Sequence, residues 1–302
     1  MTPSLTEYVA DQPLATAATD HGAKAALTQL AVLRVSGDDT RTFLHAQFTA
    51  DLKRLDLLRG GLAAWCSPKG RVLFLMHVLN LGDAWLLLAP RCEIAALLKR
   101  LRMYVLRARV TVEDLSADWS VMGLLQPAGV APGGIERDGD CLRLTVTPTL
   151  SYAFGPHPAV LGHWLASALP AVDEACWEGL EIDALLPRIV APLGERFLPQ
   201  ALDLERLQGL HFDKGCYPGQ EVIARLKYRG QVKAGLRRAV CAGALAPGDR
   251  LYRENASAAV GDVLRVATTG SICRALVVID FDATDAPLRA REPGGPVLRC
   301  EP

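Results

Sequence analysis

The sequence predicts an α+β fold that ends in a small all-β domain. Strand-like and helix-like runs mix without strict βαβ alternation, which argues against a doubly wound sheet. From about Lys233 onward, short strand-like runs are separated by APGD, ENASAAVGD, ATTGS and EPGG, with few helix signals. That pattern predicts a small β-barrel or sandwich. The chain has 302 residues, enough for two or three domains and a sizeable core. A boundary near residue 232 divides it into 1–232, where helices and strands mix, and 233–302.

Residues 1 to about 25 read as a loose arm. LAVLRVSG is a strand ending at a turn, and DDTRTFLHAQFTADLKRL then reads as a helix. Asp38 or Asp39 is its N-cap, and Phe43, Leu44, Phe48, Leu52 and Leu55 are its apolar positions. The longest apolar stretch, RVLFLMHVLNLGDAWLLLAP, is interrupted by Asn80, Gly82 and Asp83, so it reads as two strands around a Gly-Asp turn and not as a membrane span. RCEIAALLKRLRMYVL is an amphipathic helix with Ile94, Leu97, Leu98 and Leu101 on one face. RARVTVEDL, WSVMGLLQ and DCLRLTVTPT read as strands, and PAVLGHWLASAL and DEACWEGLEIDALL as helices.

Lys plus Arg number 33 and Asp plus Glu number 33, so the formal net charge is zero. Nucleic-acid binders draw affinity from neutralising phosphates, and bulk charge gives no support for that here. The eight cysteines form no C-x-x-C pair and have long, irregular gaps, unlike a zinc ribbon or a self-contained iron–sulfur scaffold. The first residues have no basic and apolar export pattern. The chain is expected to be soluble and cytoplasmic, with no metal site of its own and no membrane partner.

One stretch carries candidate chemistry: HFDKGCYPGQEVIARLKYRG, residues 211–230. Gly215 and Gly219 permit positive φ and Pro218 fixes a turn, so a tight loop presents Cys216. Lys214 would favour a thiolate, and Gln220 and Glu221 add an amide and a carboxylate. Read from the residues alone, Cys216 is either a reactive thiol at a cleft or a small hydrophobe at a domain junction. His211 offers half a metal site or a surface imidazole. ARLKYRGQVK, read as extended chain, puts Arg225, Lys227 and Arg229 on one face. That face is either solvated or a clamp for carboxylates and phosphates.

KGCYPGQEVIAR resembles the K-G-C-Y-x-G-Q-E signature of the YgfZ family, folate-binding proteins related to the glycine-cleavage T-protein, an aminomethyltransferase. VSGDDTRTFLHAQFTADL, AAWCSPKGRV, WEGLEIDALLPRI and RFLPQALDLERLQGLHFDKGCYPGQE are similar to successive blocks of that family, in its order. The resemblance implies a T-protein-like cloverleaf of mixed α/β subdomains around a central cavity, with tetrahydrofolate or a folate derivative as cofactor and a C-terminal β-barrel. It implies a role in assembly or repair of iron–sulfur clusters, with iron–sulfur enzymes or cluster-assembly proteins as partners. It also implies a link to tRNA modification, which the neutral charge suggests is indirect, so that direct nucleic-acid binding is not expected.

Carried over by position, Cys216 is the functional cysteine of the signature. Lys214, Tyr217, Gln220, Glu221 and Arg225 surround it as cofactor-binding candidates. Trp177 matches a tryptophan associated with folate, read otherwise as a core tryptophan on a helix. Asp183 stands, with a shorter side chain, where T-protein relatives carry a pterin-binding glutamate. Leu30 replaces a second folate-associated tryptophan, Leu185 a glycine, and Asp213 a lysine. Phe74 and Leu75 stand near the paired aspartates of T-proteins, and neither can orient an amine or relay a proton. T-protein-type aminomethyl transfer is therefore not expected. A folate-dependent one-carbon transferase and a direct tRNA-binding factor are the alternatives.

Overall fold

A computed structural model describes residues 2–270, 272–292 and 294–301. The chain forms two compact units, one of residues 1–63 and 76–177, the other of 64–75 and 178–302.

The first unit begins with a helix where the sequence suggested a loose arm. Helix α1 (Leu5–Val9) is held by a capping box: Glu7 N–H donates to Ser4 Oγ at 3.2 Å, and Ser4 N–H donates to a Glu7 carboxylate oxygen at 2.7 Å. Ser4 N–H, with the Ser4 hydroxyl, also holds the Glu7 carboxyl below its ordinary range. Leu5 and Val9, one turn apart, are buried, and Leu5 N–H donates to Ser120 Oγ at 3.0 Å. Two apolar residues in five make a weak periodic signal, which is why the arm looked structureless.

A five-stranded sheet follows, in the order β1 (Ala23–Ala26), β7 (Trp119–Leu125), β10 (Leu150–Pro156), β9 (Cys141–Thr145), β8 (Ile135–Asp138), with antiparallel neighbours. Helix α4 (His157–Ala166) buries Val160, Leu161 and Trp164 in a cluster with Met122, Leu124 and Ala153 of that sheet.

The second sheet runs β3 (Arg59–Cys66), β4 (Val72–Asn80), β5 (Ala84–Pro90), β2 (Leu30–Ser36), β6 (Thr111–Asp114). Strands β4 and β5 are the hairpin expected around the Gly-Asp turn, pairing His77 with Leu88 and Asn80 with Trp85. Asn80 ties the turn by accepting from Gly82 N–H at 3.1 Å and donating to the Leu55 and Asp56 carbonyls. Helix α2 (Thr40–Gln47) is shorter than the sequence implied. Phe48 is already extended at ψ 157°, so Leu52 and Leu55 lie beyond it. Asp39 stands at the N-cap, but its carboxylate accepts from Arg109 N–H at 2.8 Å and caps no N–H of its own helix. Helix α3 (Ile94–Val105) buries Ile94, Leu97 and Leu101 of the expected face and leaves Leu98 half-buried.

The second unit contains the C-terminal half of α5 (Glu174–Asp183), helix α6 (Gln220–Arg229) and a closed barrel. Around the barrel run β11 (Ala234–Cys241), β14 (Ile272–Asp280), β13 (Ala259–Thr269), β12 (Arg250–Arg253), β15 (Leu288–Ala290) and β16 (Val297–Cys300). β11 also pairs with β16, which closes the ring and removes free edges. Its interior holds Leu251, Val263, Val277, Ile279, Leu288 and Leu298.

A register shift in β13 between Val263 and Arg265 pairs Arg265 with Leu276, one step from the Val263–Val277 pair inside. The bulge turns Arg265 off the barrel interior, where it meets α5. Arg265 Nε donates to Glu178 at 2.5 Å, Nη1 donates to the Leu186 carbonyl at 2.7 Å, and Nη2 pairs with Glu181. Arg188 binds the same two carboxylates at 2.9 and 2.5 Å. Arg265 and Glu181 are buried, so each charge depends on the others. No single local motif announced this network.

No helix among the described residues is long and apolar enough to cross a membrane.

Candidate functional site

The signature stretch folds against the β3–β4 turn. That turn is tight: Gly70 N–H donates to the Ser67 carbonyl at 2.9 Å, and Ser67 N–H to the Arg71 carbonyl at 2.8 Å. Gly70 has φ +73° and Gly219 has φ +80°, both left-handed. The two glycines abut. A Cβ on Gly219 would lie 2.5 Å from Gly70 Cα and 2.5 Å from the Ser67 carbonyl oxygen. Glycine at 219 is thus required twice, by conformation and by space. Sequence reasoning named Gly219 for its turn and missed Ser67 and Gly70, although SPKGR was itself a turn signal.

Gly219 is also the N-cap of α6, and Gln220 N–H donates to the Tyr217 carbonyl at 3.2 Å. The stretch expected as extended chain is a helix from Gln220 to Arg229. Its local signals favour this: a glycine N-cap, Glu221 in the first turn, and Lys227 and Arg229 in the last, complementing the helix dipole. The single basic face is therefore corrected. Arg225 and Arg229 lie one turn apart and are exposed, whereas Lys227 pairs with Glu205. Ile223 is the buried anchor, and the Gln200 amide nitrogen donates to its carbonyl at 2.8 Å.

The turn sorts its side chains by burial. Cys216 is exposed, while its neighbour Tyr217 is only 6% exposed. Lys214 is also buried, and its ammonium lies 5.0 Å over the Tyr217 ring. A cation over a π face is favourable where water is excluded. Burial pushes the Tyr217 phenol well above its ordinary pKa, and the nearby Cys66 thiol adds to the effect. Burial also raises the Cys66 thiol, to about 12. Tyr217 Oη and Ser67 Oγ are both buried without a hydrogen-bond partner among the described residues. The site thus pairs an accessible thiol with neutral, desolvated hydroxyls behind it. Gln220 Nε2 reaches the Lys214 carbonyl at 3.4 Å, and Glu221 is exposed.

The other candidates lie elsewhere. Asp183, at the end of α5, pairs with Arg274 at 3.0 Å and is partly exposed. Trp177 belongs to the first unit and is fully buried. It packs against Gly123, where a Cβ would come within 2.4 Å of its ring, with Tyr152 at a centroid distance of 6.5 Å. No part of its ring is open to solvent. On β4, Leu75 is buried and Phe74 lies 6.4 Å from the Trp65 ring. Among the described residues, no group of three or more His, Cys, Asp or Glu side chains is placed to hold a metal ion.

No family model matches the chain. Curated relatives do. It is 30% identical over 226 residues to the tRNA-modifying protein YgfZ of Sodalis glossinidius, covering 70% of this chain and 69% of that one. It is 28% identical over 266 residues to the YgfZ protein of Vibrio vulnificus, covering 85% and 79%. The protein of the same name from Colwellia psychrerythraea is 28% identical over 224 residues, covering 70% and 69%. Among solved structures, glycine cleavage system aminomethyltransferase T from Bartonella henselae superposes with a TM-score of 0.76 at 13% identity, covering 95% of this chain and 86% of that one. The fold, with its closed six-stranded C-terminal barrel, is therefore that of the T-protein. Together with the signature turn built around Cys216, these matches show that the chain belongs to the YgfZ family.

Proposed function

We propose that this protein is a tetrahydrofolate-binding accessory factor for assembly or repair of iron–sulfur clusters in certain enzymes, with Cys216 as its working thiol. The observation that carries this reading is the presentation of Cys216: exposed, on a turn fixed by the Gly70–Gly219 contact, with Tyr217 anchored behind it. A thiol that merely filled space would sit inward, as Cys66 does. Relatives named for tRNA modification favour clients among iron–sulfur enzymes that thiolate tRNA, which a protein of zero net charge can serve without gripping RNA itself.

The turn suits a pterin in one respect. Tyr217 Oη and Ser67 Oγ are buried hydroxyls without partners among the described residues, and such groups cost about 1–3 kcal/mol each when left unsatisfied. The amide and amino edge of a pterin could pair with either hydroxyl once the turn admitted it. Tyr217 and Ser67 would hold the ring edge, with Gln220, Glu221 and Arg225 available to the rest of the ligand and Asp183 a further candidate. Trp177, enclosed by protein, supports the core beside Gly123 and offers no stacking face in this conformation. Bound tetrahydrofolate supplies a reduced pterin able to carry one-carbon units. The chain's own residues do the rest: Lys214 stays over the Tyr217 ring, Tyr217 keeps its proton across the physiological range, and Cys216 faces solvent. Phe74 and Leu75 give no acid for aminomethyl transfer.

Calorimetric titration of the purified protein with tetrahydrofolate tests the folate half. Saturable binding that weakens about tenfold or more in Tyr217→Phe is expected, the effect of losing one hydrogen bond to a buried partner. No heat at millimolar tetrahydrofolate would contradict it, and turnover of an aminomethyl donor would overturn the reading of Phe74 and Leu75.

A further inference from the structure

We infer that a second binding site, for a compact organic anion of charge −2 or more, lies in the second unit between α6 and the barrel. The cavity there measures about 410 Å³, within the size range of small-ligand sites. Four cationic side chains line it, Arg71, Arg196, Lys233 and Arg250, against two carboxylates, Asp262 and Asp280.

The three arginines are held in place. Asp262, whose side chain is 14% exposed, binds Arg196 Nη1 at 2.5 Å and Arg250 Nε at 3.5 Å through a single carboxylate oxygen. Arg71 Nη1 donates to the Arg196 carbonyl at 2.6 Å, and Arg196 Nη1 reaches the Gly248 carbonyl at 3.4 Å. Each guanidinium has five N–H donors in a planar fork, so most remain for a ligand. The Lys233 side chain has no hydrogen-bond or ion-pair partner among the described residues. One acid neutralises two arginines, and the lining keeps an excess of two positive charges in a protein whose net charge is zero. Under-neutralised cations in a concave wall focus potential on an anion.

The remaining wall is apolar. Phe197, Leu226, Val260 and Val278 face the same space, which a small organic anion can use and a bare inorganic ion cannot. The shared chemistry of the ligand is therefore clustered oxyanion charge beside a short hydrocarbon segment. A phosphate ester and a polycarboxylate both meet it. The inference does not depend on folate binding or on Cys216, since neither Tyr217 nor Cys216 lines the cavity.

The test is calorimetric titration of the intact protein at fixed ionic strength. Ribose 5-phosphate and glycerol 2-phosphate form one arm, citrate and triglutamate the other. Saturable binding in either arm is expected, and the arm that binds more tightly identifies the source. In the variant combining Arg71→Gln and Lys233→Gln, binding weakens by about tenfold per lost charge-assisted contact. Cys216→Ala binds as the wild type does. Urea unfolding of the double variant establishes that the cavity is still folded. Absence of saturation in both arms, or unchanged affinity in the folded double variant, overturns the inference.

Discussion

Replacing Gly219 by alanine tests whether the signature turn is held by backbone contact. The residue sits at φ +80°, a conformation that costs an L-residue about 1–2 kcal/mol. The added Cβ meets Gly70 Cα and the Ser67 carbonyl oxygen at 2.5 Å each, so loop or helix must retreat by about an ångström. Overpacking of this kind costs about 1–3 kcal/mol. Reduced freedom of the unfolded chain returns about 0.4–1 kcal/mol, leaving a net loss of about 1–5 kcal/mol. Gly139→Ala is the control. It has φ +57° with nothing within 4 Å of its Cβ, so it carries the conformational cost without the clash. Urea unfolding of both variants, read as midpoints at constant m-value, separates the two contributions. If Gly219→Ala loses no more stability than Gly139→Ala, the close approach of the two turns is not what fixes Cys216.

Three further outcomes are expected. Arg265→Met removes one guanidinium from Glu178 and from the fully buried Glu181, and costs about 3–5 kcal/mol by denaturant unfolding; a loss under about 1 kcal/mol refutes the network. Gly123→Ala drives a methyl into the Trp177 ring and costs about 1–3 kcal/mol; Trp177→Phe in the same chain recovers part of that loss, and strict additivity of the two substitutions speaks against the contact. All eight cysteines are free, and at pH 8 a thiol reagent is expected to label exposed Cys216 and Cys92 while sparing Cys66 and Cys141. Burial pushes those two thiols up, to about 12 and about 11. Because the unfolded chain loses these thiol protons first, stability falls as pH rises from the ordinary value of 9.0 through these folded values; a rise over that range contradicts the assignment.

Local pattern carried much of the fold. The β4–β5 hairpin was legible because Asn80, Gly82 and Asp83 interrupt two apolar runs, and the barrel because turn residues recur at short spacing. Helix α6 was misread for a physical reason: basic residues at 225, 227 and 229 imitate a two-residue period, while only Ile223 is buried on its inner side. Cys216 was singled out by its unusual glycine-bracketed context. Ser67 and Gly70 were not, because their importance lies in a contact with a turn about 150 residues later in the chain. The closed environment of Trp177 is likewise set by Gly123 and Tyr152 on other elements. Arg265 looks like an ordinary strand residue until a bulge turns it toward α5. Contacts between distant segments, and the absence of a side chain at a glycine, leave little trace in local periodicity.

The proposed role of the turn is to present a working thiol. Its most direct test is Cys216→Ala, produced in cells lacking the native protein, with the product of an iron–sulfur tRNA-thiolating enzyme measured against the abundance of the variant. Loss of the thiolated nucleoside while the variant remains folded and abundant is the expected result. Full thiolation by a folded Cys216→Ala protein would contradict the account and leave the turn as architecture.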